Sequence, residues 1–272
     1  MGFFSWLFRL KPKKKNLGIA LGSGGAKGYA ELGALKAFEE HDIHFDVVAG
    51  TSIGSIVGAF YSAGYSPVDI MEMLKRLDPG EIKNKFMIGM ETHKLESVIE
   101  RELGVKNIDE LKKPFACIAT ELESGEERVF TEGNIAKALS ASSSFPPFFK
   151  PVVIDGKKYV DGAFTNSIPS DVVRDLGADY VVGIDLSNHE AKPGLLSKLF
   201  PTYDSGVTEP WAKGYANADI MIHPNLNNYR PISFSKAEEM FNIGYNTAQE
   251  FIPIIKEDIE RLTKSKKVKK KN

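Results

Sequence analysis

Ser52 stands between two glycines in Gly50-Thr51-Ser52-Ile53-Gly54, where the strand-like run FDVVA gives way to the helix-like run SIVGAFYSA. A G-x-S-x-G turn of this kind is sharp enough to leave the serine hydroxyl exposed at a helix N-terminus. There the helix dipole favours the negative charge that develops when a carbonyl is attacked. The pentapeptide alone is a weak signal, since about 0.15 such matches arise by chance in a chain of this glycine and serine content. Its flanking runs supply the context that the chemistry requires. A second glycine-rich turn, GSGGAKG from Gly22 to Gly28, also joins a strand-like run to a helix-like one. A Walker phosphate loop needs Ser or Thr after the lysine, and Gly28 follows Lys27. A dinucleotide fingerprint starting at Gly22 needs glycine where Lys27 stands. What remains is a loop whose backbone N–H groups converge on an anion, which suits the oxyanion of a tetrahedral acyl intermediate. A plain tight turn is the alternative.

A serine nucleophile needs a base. The five histidines are His41, His44, His93, His189 and His223. In an α/β-hydrolase the triad runs Ser, then Asp or Glu, then His, so Asp161 or Asp185 with His189 or His223 would complete one. Such folds place several strands ahead of the nucleophile, whereas here only two precede Ser52. The other candidate is a carboxylate acting directly, and YVDGAFTNSIP offers Asp161 immediately after a strand-like run.

These residues must be carried by a scaffold, and the pattern of the chain describes one. NLGIAL reads as a buried strand, followed by a helix from about Tyr29 to His41; a strand over 46–49 leads into Ser52 and a helix to Ala63. Strands alternating with helices predict a parallel sheet covered on both faces. SPVDIMEMLKRL and KLESVIEREL read as helices, the second stopped by Gly104. FACIATEL and ERVFTEG read as a strand pair turning at Ser124 and Gly125, and a helix over about 134–141 follows. Then come FPPFFKPV, a hairpin over VVIDGKKYVDGA, a helix from Pro169, and the strand YVVGIDL ending at Asp185. An irregular stretch over 187–218 has the character of a lid or a membrane-facing loop, with an ordinary long loop as the alternative. A strand near 220–223 and a helix over about 235–262 close the chain. The expectation is one α/β domain over residues 16–262, between an amphipathic and basic segment (1–15) and a basic tail (263–272).

The net charge of −1 conceals an uneven distribution. Residues 1–15 hold Arg9, Lys11, Lys13, Lys14 and Lys15 without an acid, and residues 264–272 hold six lysines without an acid, leaving 24 basic against 36 acidic residues between them. An acidic body excludes nucleic acid as its partner. On a helical wheel Phe3, Phe4, Trp6, Leu7, Phe8 and Leu10 fall within an arc of about 200°, the pattern of a helix lying in a membrane surface. The lysines that follow add attraction to anionic lipid of about 1 kcal/mol each. They follow the apolar part instead of preceding it, which argues against a secretory signal. Position 6 is Trp where a myristoylation motif wants Ser or Thr. No run reaches the length of a membrane span. The single cysteine, Cys117, lies in an apolar run and reads as core in a reducing compartment. The expected location is cytoplasmic with peripheral membrane association. No metal or cofactor motif is present in the sequence.

Taken in order, GSGGAKG, GTSIGS and VDGA resemble the patatin-like phospholipase family, serine acyl hydrolases that use a Ser/Asp dyad. The resemblance continues through ATELESGEERVF and ALSASSSFPPFFKPV and covers about residues 17–185. It implies a three-layer α/β/α fold with a mostly parallel central sheet, Ser52 as nucleophile and Asp161 as base. It also implies an oxyanion hole from the backbone of Gly24, Gly25 and Ala26, with Gly22, Lys27, Gly28, Gly50, Gly54 and Gly162 as supporting motif positions, and no cofactor or metal. Lys27 matches the family's basic position, with a structural role. Ser23 stands where many members have glycine, and Ala163 where some do. The implied reaction is cleavage of a fatty-acyl ester, phospholipid or lysophospholipid, through an acyl-enzyme. The alternatives are a triad hydrolase or thioesterase acting on soluble esters, and a catalytically weak membrane-binding module.

Overall fold

In the computed structural model the described residues are 15–76, 92–187 and 209–268. The amphipathic segment before Lys15, His189, most of the expected lid and the end of the lysine tail lie outside them.

Among the described residues eight strands form one sheet: β1 (Leu17–Leu21), β2 (Val47–Thr51), β3 (Phe115–Glu121), β4 (Glu127–Phe130), β5 (Val152–Ile154), β6 (Lys157–Asp161), β7 (Tyr180–Ile184) and β8 (Ile220–Ile222), in the order β5-β6-β3-β2-β1-β7-β8 with β4 beside β3. The five strands from β3 to β8 along that path are parallel, and β4, β5 and β6 are added antiparallel. The sheet is therefore mixed. The antiparallel part is built by two tight turns, at Gly125 (φ 73°) and at Asp155-Gly156 (φ 50° and 79°), which supply the left-handed conformations a short hairpin needs.

Alternation along the central strands divides the core into two layers, as a sheet covered on both faces requires. Ile19, Leu21, Val48, Phe115, Cys117, Val182 and Ile184 face one side. They pack under α1 (Tyr29–Glu40), α2 (Ile53–Ala63), α3 (Pro67–Arg76), α4 (His93–Leu103), α5 (Ile135–Ser142) and a long closing helix, here α8 (Ala237–Val268). Ala20, Val47, Ala49, Ala116, Ile118 and Val181 face the other side, covered by α6 (Ser170–Asp175) and by Trp211 at the start of α7 (Ala212–Asn217). The second layer is thin, but the architecture is three-layer α/β/α. Cys117 is fully buried, and burial pushes its thiol up.

The closing helix runs six residues past its expected end near Leu262. Pairs one turn apart, Glu257 with Arg261 and Glu260 with Lys264, support that extension, and lysines suit the negative end of a helix dipole.

One feature of register brings the candidate residues together. Along β3, Ile118 pairs with Thr51, the last residue of β2, and the next residue, Ala119, pairs with Asp161, the last residue of β6. The parallel and antiparallel neighbours thus meet end to end on β3, and their carboxyl ends converge.

Candidate active site

β2 ends at Thr51 and α2 begins at Ile53, so Ser52 alone turns the chain, at φ 57° and ψ −124°. A residue with a Cβ takes that conformation only when its surroundings impose it. Here the Ser52 N–H donates to Ser142 Oγ at 2.9 Å, its carbonyl accepts from the Ser55 N–H at 2.9 Å, and Thr51 Oγ1 donates to the Asn166 carbonyl at 2.8 Å. The glycines are needed for space: a Cβ on Gly50 would lie 2.2 Å from the Gly54 carbonyl oxygen, and one on Gly54 would lie 2.4 Å from that of Leu21.

Ser52 Oγ donates to Asp161 Oδ2 at 2.7 Å. The other carboxylate oxygen, Oδ1, accepts the Ala163 N–H at 2.9 Å; the Asp161 N–H reaches the Ser144 carbonyl at 3.1 Å, and its carbonyl accepts Thr120 Oγ1 at 3.0 Å. Ser52 is 8% exposed and Asp161 1%. Burial pushes the Asp161 carboxyl up to about 7, against the pull of the hydrogen bonds from Ser52 and the Ala163 backbone. A carboxylate in that range is a stronger proton acceptor than a solvated one and still ionises near neutrality. Gly162 follows against the Ile118 carbonyl.

The glycine loop lies against this turn. Gly28 packs on Ile53, the residue after Ser52, and Gly54 packs on the Leu21 and Gly22 carbonyls. Among the described residues the N–H groups of Gly24 and Gly25 make no hydrogen bond. The Ala26 N–H, the third expected donor, instead reaches the Pro231 carbonyl at 2.7 Å. Pro231 also presses on Gly25 (φ 58°), where a Cβ would sit 2.5 Å from its carbonyl oxygen. Lys27 is buried and donates Nζ to the Leu186 carbonyl at 3.1 Å; burial lowers its ammonium from the ordinary value, with Asp185 opposing. The lysine ties the loop to the chain after β7. What the arrangement offers is a hydroxyl, a buried carboxylate in contact with it, and two unengaged backbone donors on the neighbouring loop.

A family model described as patatin-like phospholipase matches residues 19–174, more than half of the chain. The chain belongs to the patatin-like phospholipase family. It is 32% identical over 183 residues to a patatin-like phospholipase domain-containing protein of Caenorhabditis elegans, covering 62% of this chain and 17% of that one. It is 26% identical over 275 residues to the neuropathy target esterase sws of Drosophila melanogaster (85% and 19%), and 24% identical over 283 residues to a lysophospholipase of Pyricularia oryzae (90% and 19%). The chain thus spans less than a fifth of the length of these curated relatives. The crystal structure of VipD from Legionella pneumophila has the same fold, with a TM-score of 0.52 at 14% identity over 88% of this chain and 67% of that one.

In this patatin-like chain the described triad candidates other than Asp161 have partners away from Ser52, and His189 lies outside the described residues. Asp185 is buried, with Oδ1 accepting from Ser187 N and Oγ and Oδ2 from the Tyr215 hydroxyl; His223 Nε2 bonds the Ser187 carbonyl, and His41 Nδ1 bonds Ala37 in its own helix. Sequence reasoning missed three participants: Ser142, Pro231 and Glu31. Ser142 was visible only inside the serine run of ALSASSSFPPFF, and Pro231 carried no signal. Glu31 was not singled out in the sequence; it is fully buried beside the Gly22 backbone, and burial pushes its carboxyl well above the usual range.

Proposed function

We propose that this patatin-like protein is a serine acyl hydrolase that cleaves fatty-acyl esters of phospholipids or lysophospholipids. The observation that carries the reading is the buried 2.7 Å hydrogen bond from Ser52 Oγ to Asp161 Oδ2. Asp161 takes the hydroxyl proton as Ser52 Oγ attacks the ester carbonyl. The N–H groups of Gly24 and Gly25 hold the oxyanion, and the alcohol leaves with the proton from Asp161. Water, deprotonated by the same carboxylate, then attacks the acyl-serine, and Asp161 returns that proton to Ser52 Oγ as the fatty acid is released. The lipid class draws support from the names of relatives: a lysophospholipase in Pyricularia oryzae and an esterase in Drosophila melanogaster. A fluorophosphonate probe should label Ser52 covalently, and mass spectrometry should find the adduct on its peptide. Labelling that persists in Ser52→Ala protein places the nucleophile elsewhere, and no labelling in the wild type leaves a binding module.

The basic ends are proposed to tether the protein to an anionic membrane surface. No helix among the described residues is long and apolar enough to cross a membrane. Support comes from the cluster of like charge at both ends of the sequence and from the described residues that lead towards them. Lys15 pairs with Asp179 at 2.7 Å, and Tyr180, the first residue of β7, donates to Asp258 of α8 at 3.0 Å. Lys15 and Asp258 thus both lie near the amino-terminal edge of the sheet, opposite the strand ends that carry Ser52. The basic ends act as a tether and not as the face that meets substrate.

A further inference from the structure

The end of α5 touches both halves of the dyad. Ser142, its last residue, is fully buried and accepts the Ser52 N–H at 2.9 Å. Two residues on, the Ser144 carbonyl accepts the Asp161 N–H at 3.1 Å. Ser144 is fixed back onto the helix, with its N–H on the Ala141 carbonyl at 3.2 Å and its Oγ on the Ser140 carbonyl at 2.6 Å. The next residue, Phe145, stacks on Phe164 in the turn after Asp161, with centroids 5.2 Å apart and planes at 14°.

We infer that Ser142 is a positioning residue for Ser52, and that the end of α5 sets the Ser52–Asp161 distance by holding both strand ends at once. The inference rests on the Ser52 and Asp161 roles proposed above. β2 and β6 both pair with β3, and among the described residues they have no ladder with each other. Beside their shared register on β3 and the Thr51–Asn166 hydrogen bond, the end of α5 is what bonds directly to the backbone N–H groups of both Ser52 and Asp161. The backbone of Ser52 also sits in a left-handed conformation that it would leave if released. Rotation out of that well turns the N–H away from Ser142 and swings Cβ, and with it Oγ, away from Asp161 Oδ2. An N–H buried without its acceptor adds to the drive for that rotation. Displacement of a reacting atom by about 1 Å costs on the order of a hundredfold in rate.

The test compares the rate constant for fluorophosphonate labelling of Ser52, together with kcat and KM for a short-chain ester. The variants are Ser142→Ala, Ser142→Cys and Ser142→Thr, each on the full chain. A labelling rate constant is independent of how much folded protein a preparation contains. The cysteine variant nearly preserves volume while replacing the hydroxyl by a weak acceptor, so it decides the matter if the alanine variant folds poorly. Ser140→Ala is the control: Ser140 is also fully buried in α5, but its hydroxyl has no hydrogen-bond partner among the described residues. The expected result is a fall of about 10- to 100-fold in labelling and kcat for the alanine and cysteine variants with KM little changed, recovery in Ser142→Thr, and the wild-type rate in Ser140→Ala. Wild-type labelling in both Ser142→Ala and Ser142→Cys overturns the inference, as does an equal loss in Ser140→Ala. A wild-type protein that is not labelled at Ser52 at all overturns the proposed dyad instead.

Discussion

Replacing Asp161 with Asn should abolish most activity and, above neutral pH, make the protein more stable. Both effects come from the same buried charge. Asparagine keeps the shape: its Oδ1 can accept the Ala163 N–H, and its Nδ2 can donate to Ser52 Oγ, so neither neighbour of the carboxylate is left unpaired. What disappears is the proton acceptor, and acylation should fall by about 10² to 10⁴. Raising the carboxyl from its ordinary 3.8 to about 7 corresponds to at most about 4 kcal/mol held against the folded state. Below about pH 4 the group is protonated whether the chain is folded or not, and its burial in place of asparagine costs little. As pH rises towards 7 the unfolded chain gives up the proton and the folded chain retains it, so wild-type stability falls. Above about 7 the full difference is present. Urea titrations of wild type and Asp161→Asn across that range should therefore diverge with rising pH, the variant becoming more stable by up to about 4 kcal/mol. Labelling of Ser52 in the wild type should rise with pH through about 7 and then level. Parallel stability curves refute the buried-charge argument, and an active Asp161→Asn protein refutes the base assignment.

Other changes separate chemistry from scaffold. His223→Gln should leave kcat near wild type, since its ring contacts the Ser187 carbonyl, and a dead variant in a turnover assay points to a triad. Asp185→Asn should lower stability by about 1–3 kcal/mol, because it disturbs the acceptor of Tyr215 and Ser187, yet spare turnover per folded molecule. Gly244→Ala should lower stability by about 1–3 kcal/mol and depress the melting temperature, since its Cβ would fall 1.8 Å from the Ala30 carbonyl oxygen where α1 and α8 cross. Deleting residues 1–14 should weaken sedimentation with anionic vesicles while a soluble ester is still hydrolysed, because Lys15 and its ion pair remain; equal sedimentation removes the tether.

Most elements were legible because their signals are local. The β1 and β2 strands are continuous apolar runs, the Gly64 and Gly104 stops supply left-handed helix ends, and Asp155-Gly156 forms the hairpin turn that its sequence demands. The end of α8 was misjudged by six residues because a lysine-rich run looks like a solvated tail. The i,i+4 pairs that prolong it into the basic run are individually weak and easily passed over. Glu31 drew no attention in the sequence for a related reason. Helical spacing places it on a face, but which face of α1 meets the sheet depends on how closely α8 crosses on the other side, and Gly33 and Gly244 permit that approach.

The proposed dyad shows where reading a single chain stops. Ser52 and Asp161 could each be singled out by local chemistry, a serine on a glycine-flanked turn and an acid at a strand end, but 109 residues separate them. Asp185 met the second criterion equally well. Choosing between the two carboxylates requires knowing which strand continues the edge of β3 beyond Thr51, a fact of register between an antiparallel hairpin and a parallel strand. Neither propensity nor periodicity encodes it, because the alternation of β6 is satisfied by any even shift in pairing. Register is fixed instead by contacts that are invisible until the sheet is assembled: the Ser144 carbonyl on the Asp161 N–H, Thr120 Oγ1 on its carbonyl, and Phe145 on Phe164. The same contacts keep the carboxylate buried at a raised pKa. Changes to the residues that seat Asp161 this tightly should therefore perturb the proposed chemistry as well as the packing.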